Sequence, residues 1–193
     1  MLIVCIRTIY FDYEAGGARL AAMNESAPRP RALAIRPATT DDAAAIARIY
    51  NEGILDRLAT LETELRSPDE RRQWLAGKGE RHPVFVAEQD GEVVAWASLN
   101  PFNPRRCYDH VADFSIYIAR ERRGCGIGRA LLAHLMDAAR ALGFHKLVLS
   151  AFPFNPAGVA LYERAGFRTV GIYREQGRLD GRWVDIIVME KLL

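Results

Sequence analysis

The chain predicts a mixed α/β fold built on one central sheet, and three observations carry that reading. Short runs rich in β-branched and aromatic residues alternate with longer segments whose apolar residues recur at helical spacing. Helix starts and stops are written in capping residues, most clearly Ser67-Pro68-Asp69-Glu70 at one start and Gly166 at one stop. A glycine-rich turn, Arg122-Arg123-Gly124-Cys125-Gly126-Ile127-Gly128, lies between a strand pattern and an amphipathic helix.

Residues 1–32 are expected to form a disordered N-terminal extension. Met1–Ile9 is apolar but too short to span a membrane, and Asp12, Glu14 and Gly16-Gly17 are a poor continuation for a signal peptide. Met23 opens a polar, proline-containing lead and is expected to be the natural start. Residues 33–193 are expected to form one domain. Ala34–Pro37 reads as a strand, and Thr39-Thr40-Asp41-Asp42 caps a helix with Ile46, Ile49 and Tyr50 on one face. The helix begun at Ser67-Pro68 runs to about Gly77. Val84–Glu88 and Val93–Leu99 read as strands joined by the turn Gln89-Asp90-Gly91-Glu92. Asp113–Ile118 (strand), Ile127–Leu142 (helix), Lys146–Phe152 (strand) and Ala157–Ala165 (helix) follow. The longer helix places Ile127, Leu131, Leu135, Met136 and Leu142 on a buried stripe. Thr169–Tyr173 and Val184–Lys191 complete the strands, with a polar linker between them containing Gly177 and Gly181.

Composition excludes several classes of function. Of 193 residues half are hydrophobic and 26% are charged, as in globular proteins. The net charge of +2 is spread without a basic block, so neither a nucleic-acid nor a membrane partner is expected. Cys5, Cys107 and Cys125 are too scattered for a metal site or a disulfide framework, so no metal is expected and a cytoplasmic location is.

The glycine-rich turn is the chemical signal. Glycines at alternate positions let several backbone N–H groups close around one anion, and the helix that follows adds its positive end. Gly128 is followed by Arg129 and Ala130 rather than by the Lys-Ser/Thr of a nucleoside-triphosphate loop. The spacing also departs from the G-x-G-x-x-G of a dinucleotide fold. A diphosphate cradle remains, or a turn with no ligand.

The stretch from Asp113 to Leu142, followed by Asn155 through Phe167, resembles the GCN5-related N-acetyltransferases. Their Arg/Gln-x-x-Gly-x-Gly pattern stands here as Arg123, Gly126 and Gly128, and Asn155 and Tyr162 fall at the spacing of the second motif, which ends in Gly166-Phe167. Outside that core, Tyr50-Asn51-Glu52-Gly53-Ile54, Ala59-Thr60-Leu61-Glu62-Thr63, Arg105-x-x-Tyr108 and Gly181-Arg182-Trp183-Val184-Asp185 resemble the phosphinothricin and arsinothricin acetyltransferase branch. The resemblance implies the GNAT fold: a mixed sheet of about seven strands, helices on both faces, and a strand–pyrophosphate loop–helix cofactor site. It also implies acetyl-CoA as co-substrate and a homodimer. The acceptor it implies is the α-amino group of a glutamate-like amino acid bearing a phosphinate or arsinate.

Residue roles carried by the resemblance follow. Asp113 is the expected general base, one methylene shorter than the glutamate of the phosphinothricin enzymes, and Tyr162 the expected general acid toward the CoA thiolate. Ile116, Tyr117 and Ile118 would pair by backbone with the pantetheine arm. Arg123, Gly124, Cys125, Gly126, Ile127, Gly128 and Arg129 would hold the diphosphate, and Asn155 the pantetheine, although Asn155-Pro156 also reads as a helix cap. Arg105 and Tyr108 are expected to bind the acceptor's acid group, with Leu61, Glu62 and Thr63 on the opposite wall. Trp183 and Arg174 would shape the site or support a dimer. Methionine sulfoximine or sulfone and a protein N-terminus remain alternative acceptors. A non-catalytic acyl-CoA sensor is the alternative of another class.

Overall fold

The computed structural model describes residues 32–193. The expected start at Met23 and the disorder expected up to that point lie outside the described residues. Seven strands among them form one sheet: β1 (Leu33–Pro37), β2 (Val84–Gln89), β3 (Glu92–Pro101), β4 (Val111–Ile118), β5 (Lys146–Ala151), β6 (Arg168–Leu179) and β7 (Arg182–Leu192). Four α-helices accompany them: α1 (Ala43–Asp56), α2 (Pro68–Ala76), α3 (Ile127–Ala141) and α4 (Pro156–Arg164). The sheet order is β1-β2-β3-β4-β5-β7-β6, and β4–β5 is its one parallel pair.

The helices start where their caps place them. Ser67 Oγ accepts the Glu70 N–H at 3.2 Å while the Ser67 N–H donates to Glu70 Oε2 at 2.6 Å, a reciprocal cap at α2. Asp42, at the entry to α1, accepts the Thr39 N–H at 2.7 Å and takes both arms of the Arg36 guanidinium at 2.8 Å each. Those contacts hold the Asp42 carboxyl well below its ordinary range.

Alternation along β2 and β3 separates two cores. Phe85, Ala87, Ala95, Ala97 and Leu99 face α3, whose Leu131, Leu132 and Leu135 are fully buried. Val84, Val86 and Trp96 face the opposite way, against Ile46 and Ile49 of α1. Truncating any one of the α3 leucines to alanine costs about 2–5 kcal/mol. Met136 and Leu142, expected on the buried stripe, are only partly buried at the edge of this core.

The C-terminal hairpin differs from the sequence reading. The polar stretch expected as a linker is strand, with β6 running on to Leu179 and β7 beginning at Arg182. Both turn residues, Asp180 (φ 47°) and Gly181 (φ 81°), take the left-handed conformation that matches strand twist in a tight hairpin. β6 is exposed along most of its length, so it carries no apolar alternation to read. A register shift between Tyr173 and Gly177 breaks the pattern further, with Glu175 at φ 51°.

What positions the site is the separation of β4 from β5. The two strands pair only at Val111–Lys146, Ala112–Leu147 and Asp113–Val148. Beyond that point β4 continues to Ile118 against β3 alone, leaving its other edge facing a cleft. No helix among the described residues is long and apolar enough to cross a membrane.

Candidate active site

A cavity of about 820 Å³ fills the cleft, with β4, β5, the glycine turn, α4 and the end of α1 around it. Ile116, Tyr117 and Ile118 line it along the free edge of β4. Gly124 and Gly126, at φ 77° and 82°, carry the turn through left-handed backbone that favours glycine. Gly128 is required for a different reason. A Cβ there would lie 2.9 Å from Ile118 Cδ1 and 3.3 Å from Leu161 Cδ2, so its absence lets α3 close on β4 and α4. The first intrahelical bond of α3 runs from the Ala130 N–H to the Gly126 carbonyl at 3.2 Å. The N–H groups of Ile127, Gly128 and Arg129 therefore have no partner within the helix and sit at its positive end.

Side chains of the turn divide. Arg122, Arg123 and Arg129 line the cavity. The Arg123 guanidinium is already engaged, donating to the Ile118 carbonyl at 3.1 Å and to Asp56 Oδ2 at 2.6 Å. Asp56, also in the lining, takes Arg120 at 2.6 Å as well, and the two arginines hold its carboxyl below the ordinary range. Cys125 is exposed and outside the lining, and the Ile127 side chain is buried in the α3 core, so only its N–H is available to the turn. Asn155 caps α4, its Oδ1 accepting the Gly158 N–H at 3.0 Å, and it also lines the cavity.

Asp113 and Tyr162 meet in the same cavity. Asp113 is the last residue of β4 paired to β5 and lies opposite Asn100 of β3. Burial pushes its carboxyl up to about 6, against opposing pulls from an Asn100 hydrogen bond and the Lys78 charge. Tyr162 packs edge-on against Phe114, with ring centroids 5.9 Å apart, and close to Phe167 at 6.1 Å. Burial, with a smaller contribution from Asp113, pushes its phenol up to about 12, so it keeps its proton at neutral pH. Burial also raises the Tyr117 phenol.

Two residues that sequence reasoning missed stand beside β4, Lys78 near Asp113 and Gly53 against Tyr117. Lys78, two residues past α2, donates to the Leu99 carbonyl at 3.0 Å and to Asn100 Oδ1 at 2.8 Å. Burial pushes this ammonium down to about 8. A lysine just after a helix normally reads as a solvated charge, so nothing local marked it. Gly53 was quoted only as part of a motif, yet a Cβ there would stand 3.0 Å from the Tyr117 ring.

The residues expected on the acceptor side are not gathered into the cavity. Arg105 and Tyr108 are exposed and outside its lining, and Tyr108 packs against Phe102 with centroids 5.7 Å apart. Glu62 is exposed and paired with Arg66 at 2.5 Å, and Thr63 is exposed. Leu61 packs instead on Phe152, Leu179, Val184 and Ile186, and a Cβ on Gly177 would collide with it at 2.3 Å. Trp183 is 63% exposed, and Arg174 pairs with Asp185 at 2.5 Å.

The model of the Acetyltransferase (GNAT) family matches residues 45–167, which run from α1 through the glycine turn to the end of the Asn155–Phe167 motif. The chain belongs to the GNAT acetyltransferase family. This GNAT chain is 32% identical over 170 residues to a phosphinothricin N-acetyltransferase of Streptomyces coelicolor, covering 86% of this chain and 99% of the relative. Among solved structures, a GNAT phosphinothricin acetyltransferase of Sinorhizobium meliloti in complex with acetyl-CoA is 33% identical, with a TM-score of 0.77 over 83% of this chain and 88% of the other. A ribosomal-protein-alanine N-acetyltransferase of Brucella melitensis is 38% identical, with a TM-score of 0.80 over 83% of this chain and 99% of the other. The protein is thus an acetyl-CoA-dependent N-acetyltransferase of the phosphinothricin acetyltransferase type, and its sheet is the GNAT sheet.

The residues present fit acetyl-CoA. The turn's N–H groups suit a diphosphate, and the unpaired edge of β4 offers backbone partners to an amide-bearing arm.

Proposed function

We propose that the protein acetylates the α-amino group of a small glutamate-like amino acid carrying a tetrahedral anion, phosphinothricin or arsinothricin, and so serves resistance in the cytoplasm. The observation that carries this reading is the pairing of Asp113 with Tyr162 in one cavity, an acid titrating near neutrality and a phenol that stays protonated. Acetyl-CoA, when bound, supplies the activated thioester. Asp113, ionised above about 6, takes a proton from the acceptor's ammonium directly or through water. Tyr162 holds a proton at Oη for the departing thiolate. A backbone N–H on the free edge of β4 faces the developing oxyanion. Attack is direct, in a ternary complex.

The test is CoA thiol release with phosphinothricin, arsinothricin, methionine sulfoximine, glutamate and an alanine-initiated peptide offered separately. Turnover with a tetrahedral-anion analogue and little with glutamate supports the proposal. Turnover with the peptide alone replaces it by protein N-terminal acetylation, the activity for which the Brucella relative is named. Acetyl-CoA binding with no turnover on any acceptor leaves a sensor.

Residues 33–193 are proposed to be the complete catalytic domain, so a chain begun at Met23 keeps full activity. We also propose a homodimer that covers Val170, Ile172, Tyr173 and Trp183, which stand 43–63% exposed on the C-terminal hairpin. Sedimentation equilibrium of the wild type beside Trp183→Glu tests it, with a shift to monomer expected in the variant.

A further inference from the structure

A polar cluster of Lys78, Ser98, Asn100 and Ser115 lies on the α2-facing side of the sheet next to Asp113, and of its members Ser115 alone lines the cavity. Its centre is the Asn100 side chain. Asn100 Oδ1 accepts two hydrogen bonds, from Lys78 Nζ at 2.8 Å and from Ser98 Oγ at 3.0 Å. An ammonium can only donate, so Lys78 fixes which end of the amide is oxygen. The NH₂ end is thereby turned toward β4, where it donates to Ser115 Oγ at 3.2 Å and stands beside Asp113, the cross-strand partner of Asn100. Lys78 is itself held in place. The Leu99 carbonyl accepts from it at 3.0 Å, and its ammonium lies 4.8 Å from the centre of the Trp74 ring, which packs on buried Trp96.

We infer that Lys78, acting through Asn100, is a positioning residue that orients the Asp113 carboxylate and keeps it ionised. The inference rests on the proposed role of Asp113 as base. Asp113 stands one methylene short of a glutamate, and a fixed donor on Asn100 removes the freedom its carboxylate would otherwise have. Among the described residues two titratable groups reach Asp113, charged Lys78 and neutral Tyr162. Lys78 comes from the segment after α2 and Tyr162 from α4, while Asn100 and Ser115 are neutral. His82, on the same connection as Lys78, is pushed down by burial and by Lys78 and Arg81, so it adds no charge at neutral pH.

The experiment follows the Asp113 carboxyl by ¹³C NMR across a pH titration in wild type, Lys78→Met and Lys78→Arg, with Asp113→Asn to assign the signal. The pH profile of kcat/KM is recorded on the same samples. Lys78→Met raises the Asp113 midpoint by about one pH unit or more, as loss of a nearby opposite charge requires. The acidic limb of the rate profile moves with it, and Lys78→Arg returns both most of the way. KM for acetyl-CoA stays at the wild-type value. An Asp113 midpoint that does not move in Lys78→Met overturns the inference. A midpoint that moves while the kinetic limb stays still leaves the Lys78–Asn100 link standing and removes Asp113 as base. If Lys78→Met does not fold, Asn100→Ala is expected to raise the midpoint in the same direction, and an unmoved midpoint there is equally fatal.

Discussion

The cofactor side of the site comes almost entirely from one continuous stretch, β4 through α4, whereas the acceptor-side residues come from separate exposed segments around Leu61–Thr63 and Arg105–Tyr108. On the first side most of the recognition is backbone: left-handed glycines, a helix N-terminus, a strand edge. On the second it rests on side chains: Arg105, Tyr108 and Thr63 are exposed, Glu62 pairs with Arg66, and Leu61 packs on Phe152, Leu179, Val184 and Ile186. A site half preformed in this way is expected to bind acetyl-CoA in the absence of the acceptor, since that partner meets a finished surface.

The largest test of this contrast is Asp113→Asn, at the point where the halves meet. Loss of the base lowers kcat by about 10²–10⁴-fold with KM for acetyl-CoA unchanged. In the wild type, kcat/KM falls about tenfold per pH unit below a midpoint near 6, because only ionised Asp113 accepts the proton. Stability moves the other way. The folded-state value lies above the ordinary 3.8, so protonated Asp113 favours the fold, and that contribution is lost as pH rises through about 6. Asparagine does not bear the cost of the buried charge. The variant is therefore more stable at pH 8, by on the order of 1–3 kcal/mol, and the gain disappears near pH 4. Thermal melts at the two pH values check it, and an equal Tm difference at both would place the effect elsewhere.

Gly128→Val comes next and isolates the cofactor side. Its side chain must displace Ile118 and Leu161, both in the cavity lining. KM for acetyl-CoA is expected to rise about tenfold or more, the equivalent of 1–3 kcal/mol of overpacking. KM for the acceptor should stay within twofold, and a matching rise there would mean that the halves are one coupled surface.

This contrast also explains what the sequence disclosed. Gly124, Gly126, Gly128 and Asn155 are legible because their work is local: positive φ, a close approach and a helix cap each demand a residue type at a fixed offset. Tyr162 follows from its place on α4. Lys78 and Asn100 carry no such mark, since their meaning arises only when the sheet brings residue 100 opposite residue 113. Within the β6–β7 hairpin the stretch between Tyr173 and Val184 was read as a linker because an exposed edge strand has no buried face to impose alternation. The Cys125 thiol is exposed, so what it can offer the cradle is its backbone N–H.

A smaller effect tests the acceptor side. Arg105→Ala is expected to raise KM for the amino acid about tenfold, the worth of one charge-assisted hydrogen bond, with acetyl-CoA unaffected. Arg105 is exposed and outside the cavity lining, so this result would require the Asn100–Tyr108 segment to close over the bound acceptor. No change would leave Arg105 a solvated charge and move the anion contact to another residue.

The smallest expected effect lies inside the cofactor side. Asp56 places a carboxylate in the lining of a site built for an anion, and it does so by occupying Arg123 at 2.6 Å and Arg120 at 2.6 Å. In the free protein that carboxylate offsets one of the two arginine charges. When a diphosphate enters the turn, the carboxylate becomes a like charge nearby and a competitor for Arg123. Both arginines are more than a third exposed, so screening keeps each pair weak. Asp56→Asn keeps the shape and removes the charge, and KM for acetyl-CoA should fall about two- to threefold, less so at high salt. A rise instead would mean that Asp56 serves by holding Arg123 in its binding orientation, and the preformed character of this side would then extend from backbone to side chains.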